Sequence, residues 1–168
     1  MEAQEIFQKI ISLLDSNQAD YKLFSHRSAL TYEDLAVVQK EAGFFGTEGK
    51  CLVLKADDKF IVYVTIQGCK VNFKRISEVV GAKTIRLATA EELKESFAAE
   101  PGCAYPFGFA EGIDIYIDPI IYQQEWFLFS PLLSTKTVQV RGADLKQVFG
   151  SLLNRVREAT DFNLIKDS

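Results

Sequence analysis

Hydrophobic positions near the start of the chain recur at helical spacing. Ile6, Phe7, Ile10, Ile11, Leu13 and Leu14 predict an amphipathic helix over residues 3–15. Asn17-Gln18-Ala19-Asp20 closes it, and Tyr21-Lys22-Leu23-Phe24 alternates as a short strand does. Thr31-Tyr32-Glu33-Asp34 has the form of a helix start, with Thr31 as N-cap and Asp34 as an imperfect capping-box partner. That helix should reach about Ala42 and stop at Gly43. The middle of the chain changes period. Lys50 to Ala56 and Phe60 to Ile66 are rich in β-branched and aromatic residues and form a hairpin about Asp57-Asp58-Lys59.

Residues 72–80 read as a helix closed by Gly81, and 83–87 as a strand. Thr89-Ala90-Glu91-Glu92 opens another helix with a good capping box. The run Pro101-Gly102-Cys103-Ala104-Tyr105-Pro106-Phe107-Gly108 holds two prolines and two glycines and must be a loop. Strands follow at 113–117, 126–130 and 135–140, then a last helix from Ala143 to about Ala159 and a frayed tail from Asp161 to Ser168. Helices interleave with strands, but the tight turn at 57–59 and the closely spaced late strands imply antiparallel pairing. The expected fold is a single α/β (α+β) domain with a mixed, mostly antiparallel central sheet or partial barrel flanked by helices.

Composition narrows the function. A chain of 168 residues is one domain's worth, and 48% hydrophobic with 25% charged residues argues against extended disorder. The single histidine, His26, excludes any site needing two imidazoles. Cys51, Cys69 and Cys103 are odd in number and form no CxxC, so a reduced, cytoplasmic protein is expected. The N-terminal sequence has neither signal-peptide nor transit-peptide character, and no apolar run approaches the ~20 residues of a membrane span. A net charge of −4 is not the footprint of a protein that coats nucleic acid. Locally, Lys70, Lys74, Arg75, Lys83 and Arg86 enclose only one acid, Glu78; they suit a solvated face or a contact to a nucleic-acid backbone. GxGxxG, Walker and GxSxG motifs are all missing.

Two features could carry chemistry. Lys55 interrupts an apolar strand just before the hairpin turn and shares a face with Val53; it either snorkels to water or stands as a cation at a pocket mouth. The Gly102–Pro106 loop is either a plain surface turn or a rigid nest whose amides polarise a carbonyl, with Tyr105 and Phe107 as pocket wall. Cys103 as a nucleophile would need His26 as its base. His26 also suits a surface or cap role, and Asp118-Pro119 a turn.

The order of these pieces along residues 5–150 resembles the YbaK/prolyl-tRNA synthetase-associated editing-domain family of free-standing aminoacyl-tRNA deacylases. The resemblance rests on His26 and Thr31–Asp34, then Cys51–Ala56 and Gly81–Ala88, then Glu92-Leu93, Glu100–Gly108 and Ile115–Asp118. Its most specific marks are a lysine ending an early strand and a GxxxP loop. It implies hydrolysis of the ester between a wrong amino acid and the terminal adenosine of a tRNA, commonly tRNA(Pro), with no metal or other cofactor. Lys55 would position the tRNA end, and Gly102 to Pro106 would hold the aminoacyl group and the attacking water, a substrate ribose hydroxyl assisting. His26, Thr31, Cys103, Ala104, Tyr105, Phe107, Gly108, Asp118 and Ser130 would surround the substrate. Ser130, in Phe129-Ser130-Pro131, stands where some alanine-clearing members carry histidine, which suits a cysteine-, serine- or threonine-clearing member. The implied partners are the acceptor end of an aminoacyl-tRNA and a synthetase, with the protein itself a monomer. A non-catalytic module that recognises a tRNA end or a synthetase is the competing expectation.

Overall fold

The strand that begins before the apolar run Cys51–Leu54 organises the molecule. In the computed structural model, which describes residues 2–164, the chain order is α1 (Ala3–Ser16), β1 (Tyr21–Ser25), α2 (Tyr32–Ala42), β2 (Thr47–Ala56), β3 (Lys59–Ile66), α3 (Phe73–Val80) and β4 (Ile85–Leu87). There follow α4 (Ala90–Phe97), β5 (Asp114–Ile117), a 3-10 turn (Pro119–Gln123), β6 (Trp126–Phe129), β7 (Lys136–Arg141), α5 (Gly142–Gly150) and β8 (Val156–Glu158). The eight strands form one sheet in the order β1-β7-β6-β2-β3-β5-β8, with β4 on the far end of β2. Antiparallel ladders join β1–β7, β6–β7, β2–β3 and β2–β4; parallel ladders join β2–β6, β3–β5 and β5–β8. The mixed, mostly antiparallel sheet is as expected.

Period-two alternation sorts the side chains onto two faces. Val53, Val62, Val64, Ile115, Ile117, Phe127, Phe129, Val138 and Val140 enter the main core, which Ile6, Ile10 and Leu14 of α1 and Leu145, Val148 and Phe149 of α5 complete. On the other face Leu54, Ile61, Tyr63 and Tyr116 pack with Ile76 of α3 and with Phe162. Leu128 packs there with Val38 of α2, Ala29 and Phe44. Helix ends follow local chemistry. Thr31 Oγ1 accepts from Asp34 N at 3.1 Å, and Gly43 ends α2 at φ 77°. Thr89 and Glu92 form the full capping box of α4.

Three expectations are corrected. The last helix ends at Gly150 instead of continuing to Ala159, because Val156–Glu158 is captured as a parallel edge strand by Ile115–Ile117. The Asn154 amide fixes the turn between them by donating to the carbonyls of Ala110 and Ile113 at 2.8 and 3.0 Å. Tertiary pairing thus overrides helical propensity. The tail from Asp161 is not frayed over its described part: Phe162 is buried, and Asn163 bridges to Val71 and accepts from the Tyr63 hydroxyl at 3.0 Å. Residues 165–168 lie outside the described residues. Finally, the strand expected at 83–87 starts only at Ile85, because the amides of Lys83 and Thr84 donate to the Asp57 carboxylate.

Gly142 joins β7 to α5 where no side chain fits: a Cβ there would collide with the carbonyl oxygens of Gln124 and Ile121. Backbone cannot yield as a side-chain tip can. Gly142→Ala is expected to destabilise the fold by about 2 kcal/mol or more, read as a lower urea midpoint with an unchanged slope.

Candidate active site

A cavity of about 500 Å³ opens between the start of α2, the first half of β2, the end of β4, α4, the loop at 102–104 and the end of β6. That volume suits a small-molecule-sized ligand. Most of its wall is apolar, supplied by Leu30, Leu35, Leu52, Val53, Leu87, Leu93 and Phe129. Glu48 and Lys50 are its only charged lining residues, with Thr31, Tyr32, Cys51 and Ser130 as further polar groups.

Strand β2 supplies the charged pair. It begins at Thr47, ahead of the expected Lys50, because Thr47 and Glu48 pair in parallel with Phe127 and Leu128. Gly49 permits this approach: a Cβ at that position would collide with the Phe127 ring. Lys50 Nζ donates to the Cys69 carbonyl at 2.7 Å. Glu48 is 7% exposed, and its Oε1 accepts from Gln39 Nε2 of α2 at 2.9 Å. Burial pushes its carboxyl up to about 7, although the Gln39 hydrogen bond opposes the shift. Burial also raises the Tyr32 hydroxyl to about 12, helped by Cys51 and Glu48, and pushes the Cys51 thiol far above its usual range. Neither is a ready nucleophile at neutral pH.

The loop expected to form the opposite wall does two jobs. Gly102 and Ala104 line the cavity, and their backbone amides donate to no group among the described residues. Gly102 adopts φ 79°, and a Cβ there would press on the Leu30 carbonyl at 3.2 Å. The Cys103 amide donates to Glu100 O at 3.0 Å, and Glu100 Oε2 accepts from Ser134 N at 2.7 Å, so both ends of the bend are held. From Tyr105 onward the loop turns inward. Tyr105 stacks on Phe109 with ring centroids 4.5 Å apart and donates its hydroxyl to Phe97 O. Phe107 meets Phe129 and Phe149 edge-on, Pro106 is buried, and Gly108 packs against Ile10.

Of the residues expected around the substrate, Thr31, Gly102, Ala104 and Ser130 meet in the cavity wall; Cys103, Tyr105, Pro106, Phe107 and Gly108 stand behind it. Three lie elsewhere. Lys55 does not line the cavity: its ammonium is 3.8 Å from Glu92 and sits over the Phe60 ring at 4.3 Å. Asp118 accepts from Thr65, Asn163 and the Ile120 amide, serving as cap of the 3-10 turn. His26 is committed to Thr137 Oγ1 at 2.8 Å and to Arg27 O at 2.7 Å. It makes no hydrogen bond to the Cys103 thiol, which burial raises to about 11. Among the described residues no three His, Cys, Asp or Glu side chains converge on a metal position, and no helix is long and apolar enough to cross a membrane.

Sequence reasoning missed Glu48, Lys50, Tyr32 and Cys51. The signal was present, since Lys50 opens the same apolar run that Lys55 ends. What separates them is tertiary pairing that leaves no local trace: Lys50 lies opposite Thr65 of β3, whereas Lys55 lies between Phe60 of β3 and Arg86 of β4.

The fold is a mixed α/β domain that other chains share. It is similar to the crystal structure of hypothetical protein APE2540, with a TM-score of 0.70 at 18% identity over 89% of this chain and 97% of that one. A structure described as a candidate trans-editing enzyme for prolyl tRNA synthetase superposes with a TM-score of 0.69 at 16% identity, covering 91% and 95%. In sequence, the chain is 31% identical over 108 residues to the proline--tRNA ligase of Bacillus pumilus (strain SAFR-032), covering 62% of this chain and 19% of that one. To that of Bacillus velezensis it is 35% identical over 72 residues, covering 43% and 13%. The chain spans less than a fifth of the length of these curated relatives. Residues 26–148 match the model of the aminoacyl-tRNA editing domain, and the chain belongs to that family.

The elevated Glu48 carboxyl has a consequence for stability. Between about pH 4.5 and about 7 the native protein holds a proton there that the unfolded chain has released, so stability falls as pH rises through that window. Glu92, held down to about 2 chiefly by Arg86, acts in a lower window, gaining stability as pH rises from about 2 to 4.5. In Glu48→Gln the decline between pH 4.5 and 7 is expected to shrink by on the order of 3 kcal/mol, measured by urea unfolding across that range.

Proposed function

We propose that this chain hydrolyses the ester bond of a mischarged aminoacyl-tRNA, clearing a small amino acid from the terminal adenosine. The observation that carries the reading is one cavity with a lysine on one wall and two unbonded amides on the other, in a chain of the aminoacyl-tRNA editing family. The amides of Gly102 and Ala104 receive the ester carbonyl oxygen and stabilise the negative charge that develops on it. A water oxygen bonds to the carbonyl carbon, and the bond from that carbon to the ribose oxygen breaks. The departing ribose oxygen takes one proton of the water, the other passes to solvent, and the amino acid leaves as its carboxylate. The neighbouring ribose hydroxyl assists that transfer, as the family resemblance implies.

The cation role moves from Lys55 to Lys50 in this reading. Lys50 lines the cavity, whereas Lys55 is engaged by Glu92 and Phe60 outside it. Lys50 holds the terminal nucleotide through its phosphate or ribose oxygens. The apolar walls and the modest volume favour a small acyl group such as that of serine, threonine, cysteine or alanine. Similarity to proline--tRNA ligases makes tRNA(Pro) the favoured carrier. The chain contacts the acceptor end as a cytoplasmic monomer, alone or beside a synthetase.

The test is deacylation of Ser-, Thr-, Cys- and Ala-charged tRNA(Pro). Lys50→Ala should lower kcat/KM by about 100-fold or more, and Lys55→Ala by about threefold at most. The reverse ranking returns the role to Lys55. Acceptor-end binding without turnover of any substrate makes the protein a recognition module. Gly102→Ala, which disturbs the φ 79° bend while leaving every charge in place, should cut kcat by about tenfold with little change in KM.

A further inference from the structure

Glu48 is an anomaly in its surroundings. A carboxylate buried in a mostly apolar wall is costly unless a cation or several hydrogen bonds compensate it. The structure provides one neutral donor, Gln39, to one of its two oxygens. Lys50, two residues on, gives its hydrogen bond to the Cys69 carbonyl, and no ion pair joins it to Glu48 among the described residues. The other carboxylate oxygen makes no hydrogen bond there either. Yet no fully buried side-chain oxygen or nitrogen among those residues lacks a partner, so this oxygen keeps some exposure, and the cavity that Glu48 lines offers a place for a ligand to reach it. Among the described residues Glu48 is also the only acid in that wall.

An aminoacyl ester brings a complementary group. Whatever its side chain, it carries an α-amino group that is a cation when protonated, and in this cavity that cation meets Lys50 as a like charge. We propose that Glu48 is the specificity residue that receives the α-ammonium of the aminoacyl group through its open oxygen, so that the cavity selects charged aminoacyl termini over acyl groups lacking the amine. The inference rests on the proposed function for the identity of the ligand, but it concerns recognition and not hydrolysis. The raised proton affinity of the empty site agrees with it, since an incoming ammonium supplies the counter-charge that the pocket withholds. The Gln39 bond fixes the carboxyl plane, so the open oxygen is oriented before the ligand arrives.

The experiment uses stable amide analogues of the tRNA terminus, 3′-deoxy-3′-(L-alanylamino)adenosine and its 3′-propionylamino counterpart, which differs in lacking the amine. Calorimetry at pH 7 should show the wild type binding the alanyl analogue at least tenfold more tightly than the propionyl one. Glu48→Gln, which keeps the shape and the Gln39 contact, should bring the two affinities within about twofold. Equal binding of both analogues by the wild type, binding of neither, or a tenfold preference retained in Glu48→Gln each overturns the proposal. The wild-type comparison is independent of how the variant folds. A Glu48-dependent preference with no hydrolysis of any mischarged tRNA would sustain this inference and refute the deacylase reading.

Discussion

Strand β2 has three partners, and the rest of the molecule is arranged around that fact. It pairs with β3 from Gly49 to Ala56, with β6 through Thr47 and Glu48, and with β4 through Leu54 to Ala56. A strand shared in this way must satisfy each neighbour's geometry at once. At its start, the close approach to β6 leaves no room for a side chain at residue 49, and the Phe127 ring fills the space above Gly49. Further on, Val53 enters the main core while Leu54 enters the core under α3, so the strand is apolar on both faces in its middle. At the β6 end Glu48 and Lys50 stand beside the larger cavity, and at the other end Asp57, Asp58 and Lys59 line a second one. The parallel ladder with β6 positions Glu48, the antiparallel ladder with β3 positions Lys50, and both residues line the pocket.

The loop from Glu100 to Phe109 answers β2 across the cavity, and its precision comes from the core behind it. A short Gly-rich bend would ordinarily sample many conformations, which is the entropic cost of glycine. Here the chain just beyond the bend is anchored by Tyr105, Phe107 and Phe109, all fully buried and packed edge-on or stacked with their neighbours. The first half is held by the Glu100 carboxylate on the Ser134 amide. Ser134 also pairs with Ser28 at 2.7 Å and accepts from the Ala29 amide, which draws in the segment leading to Leu30 and Thr31. Three chain segments distant in sequence thus share one hydrogen-bonded seam. The amides of Gly102 and Ala104 inherit their fixed positions from it.

Local physics made much of this readable. Helices α2 and α4 are announced by Thr31 and Thr89, whose hydroxyls cap as the side-chain spacing requires. The β2–β3 hairpin and the loop at Pro101–Gly108 follow from local composition, and Thr31, Gly102, Ala104 and Ser130 line the cavity. The misses share one cause. Val156–Glu158 continues an apolar-polar pattern that a helix would also display, and only β5 as a neighbour decides otherwise. Lys50 and Lys55 flank the same apolar run, and only tertiary neighbours separate them: Lys50 lines the cavity, and Lys55 has Glu92 and the Phe60 ring as partners. Asp118 carries a turn-initiating sequence and does what that sequence does, with Thr65 and Asn163 added by the fold.

A chain with one histidine has few ways to move protons at neutral pH, and here the histidine is spent on Thr137 and Arg27. The two cysteines nearest the cavity are pushed away from thiolate by burial. What remains in the mostly apolar cavity is the Glu48 carboxyl, raised to about 7 by burial, the Lys50 side chain and backbone dipoles, and low polarisability strengthens each of them. Under the proposed function such a site gains rate from where its groups already stand, so errors in position cost more than errors in acidity. That places the burden on the two features that set position: the steric demand at Gly49, which brings β2 against β6, and the seam through Glu100 and Ser134, which holds the opposing amides. The mild net acidity of the whole chain is consistent with this economy. Under the proposed function, gripping one charged terminus takes one well-placed cation and one counter-ion in the cavity, not a basic surface.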